Sequence, residues 1–462
     1  MRGFLASSVG VTCAAALALP LALSAPAQAV PQAAKTGPAA PGSTRSVPLV
    51  PLGDDRSLGA AAPEQGVPRR SVRPFSLVGV VWDDPGTELR GRVQVRTRAS
   101  GTTHWTGWQD IETHNHEHGA DPGSAESGSG RVRGSTAPLW VGASDGVEVR
   151  VRASADERSA SAGKPPLPRG MHLELVDPGA EPRSGGASTA AGRAAAPGLG
   201  ATAENAAAAA AAAGATAASY EASAANAALA PLGATEIPAL SKARTEQEYR
   251  AAQPGAPRAK PYIGARPRIV TRRGWGANES LRERGFVYTK KVKAAFVHHT
   301  ASGNNYRCSQ APSVIRSIYR YHVVSSGWRD IGYNFLVDKC GTVYEGRAGG
   351  VAKPVMGAHT LGFNSDTMGI AVLGTFADTR PAAAALNAVA RLTAWKLGLY
   401  GVNPRGKTYL KSGGGNLYRK GKNVRLNVIS GHRDGFATEC PGRLLYGKLG
   451  SARTTAARYQ GR

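Results

Sequence analysis

The chain has 462 residues and carries 57 Lys and Arg against 32 Asp and Glu, a formal net charge of +25. Beyond the first 23 residues no stretch is long and apolar enough to cross a bilayer, which excludes a helical transmembrane protein. So large a basic excess points to a polyanionic partner, with a basic surface that merely aids solubility as the alternative.

At the N-terminus, Met1 to Phe4 supplies a positive start and an Ala/Leu/Val-rich stretch runs to Leu23. Ala27-Gln28-Ala29 is a small-x-small cleavage site, so 1–29 reads as a secretory signal peptide. A secreted, extracellular protein is therefore expected. Residues 30–71 are rich in Pro, Ala, Gly and Ser with no apolar period and read as a disordered linker.

Over 72–178 short alternating runs appear: Phe75 to Trp82, Val93/Val95, Val147/Val149/Val151 and His172 to Val176. Period two with Gly and Asp-Pro punctuation predicts an all-β, sandwich-like accessory module. Its Trp105, Trp108 and Trp140 suit either stacking on sugar rings or filling a core. His114, His116 and His118 form a His-rich tract in an acidic loop, for which a solvated loop is the preferred reading over metal binding. Residues 179–260, with unbroken alanines at 206–213, lack a core-forming face and read as a second linker.

The remaining unit, 261–462, holds 32 Lys and Arg against 9 Asp and Glu, a net of +23, and so nearly all the basic excess. No nucleic-acid motif accompanies this charge, and secretion points to an anionic cell wall instead of nucleic acid. Oligomeric state is not legible. Strands and helices alternate here. Ala294 to His298 predicts a strand, Val314 to Val323 a helix, and Tyr333 to Val337 with Val343 to Gly346 a hairpin. Ile370 to Leu373 follows as a buried strand, a helix opens at Pro381 and closes at Gly398, and Val424 to Ile429 delivers His432. The fold class is α/β, a mixed central sheet with flanking helices, beside the N-terminal all-β module.

Two distant segments carry the chemistry, AAFVHHTAS at 294–302 and SGHRDGFATECPG at 430–442. His298, His432 and Cys440 make a three-ligand set for Zn2+ that leaves the fourth tetrahedral position to water, as catalytic zinc sites do. Two neutral imidazoles and a thiolate leave the metal a net +1. With Cys13 lost in the signal segment and Cys440 needed as a thiolate, Cys308 and Cys340 remain to pair in an oxidising compartment; two free thiols are the alternative.

The ordered motifs IVTRRGWGA, FVHHTAS, GWRDIGYNFLVD, GTVYEGR, GAHTLGFNSDTMGIAVLG and GHRDGFATECPG resemble the peptidoglycan recognition protein family and its relatives, the zinc-dependent N-acetylmuramoyl-L-alanine amidases. The resemblance covers about 265–450, and the layout is similar to secreted actinobacterial-type members. It implies His298, His432 and Cys440 as zinc ligands, and Tyr333 as the catalytic tyrosine that positions the water or the polarised carbonyl. Thr438 is implied at the site beside the cysteine. It further implies His359 as a groove histidine and Gly327-Trp328 as the pair associated with diaminopimelate-type stems. Arg347 suits bidentate capture of a stem-peptide carboxylate. The expected reaction is hydrolysis of the amide between N-acetylmuramic acid and L-alanine in peptidoglycan. The alternatives are a non-catalytic peptidoglycan-binding or sensing protein, and an endopeptidase using the same metal chemistry.

Overall fold

The computed structural model describes residues 42–52, 64–113, 115–154, 167–180, 216–252 and 261–462. The expected signal segment, the alanine run 206–213 and His114 lie outside them. No helix among the described residues is long and apolar enough to cross a membrane.

The N-terminal module is a single hydrogen-bonded sheet of eight antiparallel strands. These are β1 (Ser43–Pro48), β2 (Val50–Pro51), β3 (Glu64–Trp82), β4 (Gly91–Ala99), β5 (Gln109–Ile111), β6 (Gly134–Ser135), β7 (Leu139–Ala153) and β8 (His172–Asp177). The main path is β1-β8-β3-β7-β4-β5, with β2 and β6 pairing onto β3. Register shifts along the β3–β7 pair, at Val67/Arg70, Ser71/Phe75 and Phe75/Leu77, let these long strands bend. Their inward positions then close on Val78, Val80, Val93, Val95, Val149, Val151 and Leu173. Alternation put these valines on one face, and burial removes that face from water.

The described parts of two segments read as linkers are built into the fold. Within 30–71, β1 pairs with β8 along its whole length, and β3 begins at Glu64. Pro48, Pro68, Arg69, Arg70, Arg73 and Pro74 sit at exposed positions, which is why no apolar period marks these strands. Within 179–260, residues 216–224 form α1, β9 (Glu236–Ile237) pairs antiparallel with β10 (Ile269–Val270), and α2 spans Lys242–Ala251. Ser241 caps α2 by accepting from the Arg244 N–H. An amidase unit cut at residue 261 therefore loses a strand of its own sheet.

The second sheet is mixed, in the order β17-β11-β14-β12-β13-β10-β9, where β11 is Ala294–His299, β12 Phe335–Val337, β13 Val343–Glu345, β14 Thr367–Val372 and β17 Ile429–Gly431. The predicted run Val424 to Ile429 divides. Asn423–Asn427 (β16) pairs with Lys407–Lys411 (β15) in a separate ribbon, and only β17 joins the sheet. Helices α5 (Ala383–Gly398) and α7 (Leu449–Gln460) cover one face through Val389, Leu392, Trp395 and Ala456. The short α3 (Arg272–Trp275) and α4 (Ala311–Arg320) lie on the other. There Leu77, Val81, Trp140 and Val176 of the N-terminal module share one core with Val314, Ile318, Tyr319 and Tyr321. Trp140 is thus a core residue, while Trp105 and Trp108 stack under Arg69 and Arg150, 4.6 and 4.1 Å from their ring centres.

Arg272 fixes the loop before β12. It is buried, pairs with Glu279 at 2.7 Å and Asp330 at 3.0 Å, and donates to the Gly346 carbonyl at 2.6 Å. Cys308 and Cys340 form the expected disulfide across a separation of 32 residues, tying the start of α4 to the β12–β13 turn. A loop of this length constrains the unfolded chain by roughly 3–4 kcal/mol. The Cys308→Ala/Cys340→Ala protein is expected to lose about that much unfolding free energy in urea, with a denaturant slope no shallower than the parent's because its unfolded state is less compact; an unchanged unfolding free energy would contradict that entropic role.

Candidate metal centre

Parallel pairing of β11 with β17 places Val297 opposite Gly431, so the residue after each pair member is a histidine at a strand end. Adjacent strands lie about 4.7–4.9 Å apart, and the rings of His298 and His432 have centroids 4.5 Å apart. The chain turns after β17 through His432–Asp434, and the Arg433 N–H donates to the Cys440 carbonyl at 3.1 Å. That return brings the Cys440 Sγ within 3.7 Å of His298 Nδ1. The three predicted ligands therefore converge.

A fourth joins them. His118, from the loop between β5 and β6, sets Nε2 at 3.8 Å from Cys440 Sγ and its ring 4.5 Å from that of His432. One ligand atom from each of His118, His298, His432 and Cys440 lies within 4.8 Å of the others, and all four residues are buried. The sequence reading of His118 as solvated is corrected here, since it is buried and stands as a fourth donor beside the three predicted. The signal was present in the His-x-His-x-His tract, but only the fold shows that this loop reaches a cluster some 180 to 320 residues further along.

The donor set fits a zinc ion. Tetrahedral bonds of about 2.0–2.1 Å to nitrogen and 2.3 Å to sulfur separate ligands by roughly 3.3–3.6 Å, close to the observed sulfur–nitrogen distances. No hydrogen bond of ordinary geometry reaches Nδ1 of His118 or the ring nitrogens of His432, beside which only the Glu117 backbone offers a weak partner. Buried imidazoles left without partners are costly, and a cation would complete them. Burial, reinforced by the neighbouring imidazoles, holds His118, His298 and His432 well below the usual histidine range, in the neutral form that binds metal. Burial pushes the Cys440 thiol well up, against the pull of the His299 backbone N–H. A metal ion reverses that and takes the thiolate.

The other predicted residues divide. Tyr333 precedes β12, with its ring 5.5 Å from that of His298 and 5.9 Å from that of His118. Burial first, then the charges of Cys440 and Glu117, raises its phenol well above the ordinary value, so it stays a donor. Thr438 accepts from the Cys440 N–H at 3.1 Å and donates to Glu117 at 2.7 Å. His359 does not face a groove. It is fully buried behind His298, Nδ1 3.3 Å from His298 Nε2 and Nε2 3.3 Å from Thr367 Oγ1. Trp328 is buried with its ring 4.3 Å from that of His322. Arg347 is also buried, and its guanidinium is taken by Glu126 at 2.9 and 3.0 Å. His299 lies behind the cluster, Nε2 3.8 Å from Glu112.

Residues 288–443 match the family described as N-acetylmuramoyl-L-alanine amidase. Residues 26–169 match one described as Rv3811 N-terminal galactose-binding domain-like. The chain is 30% identical over 183 residues to Peptidoglycan-recognition protein SC2 of Drosophila simulans, a match covering 39% of this chain and 84% of that protein. It is 34% identical over 168 residues to Peptidoglycan-recognition protein 1 of Holotrichia diomphalia, covering 34% of this chain and 80% of that protein. Among solved structures, Drosophila PGRP-LB wild-type is 24% identical with a TM-score of 0.32, covering 40% of this chain and 92% of that one. On this likeness and its motifs, the chain belongs to the peptidoglycan recognition protein family and carries an amidase-type domain.

Proposed function

We propose that this protein is a secreted zinc amidase that hydrolyses the bond between N-acetylmuramic acid and L-alanine in peptidoglycan. The observation that carries the reading is the convergence of His298, His432 and Cys440 beside Tyr333, one ligand atom of each lying within 4.8 Å of the others. These residues would hold zinc, which when bound supplies Lewis acidity for amide hydrolysis. The protein residues have separate tasks. His359 and Thr360 lie 3.3 and 3.4 Å from Nε2 of His298 and fix its ring. The protonated Tyr333 phenol donates to the oxyanion that develops on the carbonyl. Arg347 suits a carboxylate of the stem peptide, since a buried guanidinium binds it through two parallel hydrogen bonds. The disulfide supports an oxidising compartment, and the net +23 of 261–462 supports an anionic wall as the surface met.

A second reading, peptidoglycan binding around a structural metal, is favoured by one observation, the fourth buried ligand His118. Prolonged digestion of purified peptidoglycan by the zinc-loaded chain, followed by mass analysis, separates the two. Release of stem peptides with a free N-terminal L-alanine is expected. Binding without any release would leave the structural-metal reading, and cleavage only between stem-peptide residues would mark an endopeptidase.

A further inference from the structure

We infer that residues 115–131 are a built-in occupant of the metal centre and its groove, so that the folded chain is latent until this segment is displaced. The inference rests on the metal-centre reading above and concerns its regulation.

The segment leaves β5, crosses the amidase-type domain and returns as β6, making contact at the metal cluster, Tyr333, Thr438 and Arg347. His118 closes the metal cluster. Glu117 accepts from the Thr438 hydroxyl at 2.7 Å, and its carbonyl accepts from the Leu361 N–H at 3.0 Å. Asp121 accepts from the Gly362 N–H at 2.8 Å and from the Asn364 amide at 2.7 Å. Glu126 grips Arg347 through both carboxylate oxygens, and it also accepts from the Arg329 N–H at 3.2 Å. The Arg131 carbonyl lies against Gly327, where any Cβ would clash with it.

The chemistry of these contacts copies that of a bound peptide. A carboxylate fills the guanidinium that suits a stem-peptide carboxylate, and an imidazole fills the position an amide carbonyl or water needs. A metal with four protein ligands has no position left for either. The Arg347–Glu126 pair is almost wholly buried, so withdrawing Glu126 alone leaves an uncompensated charge. That favours exchange of one carboxylate for another over simple opening. Between the anchors, Pro122, Gly123, Ala125, Gly128 and Gly130 are exposed, the kind of stretch that yields to displacement or scission while the shared core keeps the module docked.

Two single variants of the full chain test this. His118→Ala removes the fourth ligand, and Glu126→Lys sets two cations against each other at Arg347 without touching a ligand. Cobalt(II) is loaded into each protein and its visible absorption recorded; hydrolysis of a purified muropeptide and its binding to the metal-free proteins are also measured. For His118→Ala the cobalt spectrum should change from four protein donors to three plus solvent. For both variants, hydrolysis and binding should rise about 10- to 100-fold, the range for an open state populated at 1–10% in the parent. Should His118→Ala fail to fold, Glu126→Lys alone must show the gain. Parent-like rates and affinities in both, with an unchanged spectrum, overturn the inference while leaving the amidase reading intact. If spectrum and binding change as stated but no protein cleaves any amide, the occupant stands and the amidase reading falls.

Discussion

Cys440→Ala is expected to abolish hydrolysis and to reduce bound zinc from about one per chain to near none. The substitution removes a ligand and its negative charge together. The three remaining imidazoles are neutral, so a divalent ion held by them alone would be buried with its full charge. The parent site offsets that charge with a thiolate within 3.7 Å of His298 and 3.8 Å of His118. Because the unaltered chain is held latent, activity is best compared in the His118→Ala background, and metal content in both backgrounds by elemental analysis. Full turnover of Cys440→Ala in metal-free buffer would rule out metal-dependent chemistry at this site.

Tyr333→Phe should separate metal binding from turnover. It deletes one hydroxyl, touches none of the four clustered ligands, and leaves the ring in its place against His298 and His322. Loss of one transition-state hydrogen-bond donor lowers kcat about 100- to 1000-fold, or about 2.7–4 kcal/mol. In the His118→Ala background, zinc content and KM for a muropeptide should stay near the parent's while kcat falls on that scale. Burial, with the charges of Cys440 and Glu117, raises the phenol above its ordinary value and so favours the donor form. A kcat unchanged by the substitution reduces Tyr333 to a packing residue.

Local pattern carried much of the fold. The valines of β4 and β7 alternate because one face of the sheet is buried, and that alternation is visible without coordinates. The apolar run Ala294 to Val297 announces a strand buried on both faces, and it ends on His298. Segments stabilised from outside were not legible. In β1, with its sequence STRSVP, stability comes from pairing along β8. β9 is two residues long and exists because β10 offers it an edge. Neither carries an apolar period, since neither buries a continuous face.

The centre divides in the same way. The sequence by itself offered the donor types, a strand-end histidine in one motif-bearing segment and a histidine with a cysteine in the other, a set that suits a zinc-like ion, and it left two cysteines in one domain, of which the fold makes a disulfide. Tertiary structure alone decided how many ligands meet and what fills the groove. His359 moved from a groove wall to a support behind His298, because the loop before β14 folds back on itself, with the His359 N–H donating to Asn364 Oδ1 at 2.7 Å, and turns the ring inward. His118 and Glu126 reached the centre because a docked core of Leu77, Val81, Trp140 and Val176 against α4 holds their loop over it. Such long-range packing leaves no periodic trace in either segment, since each satisfies the other and not its own neighbours in the chain.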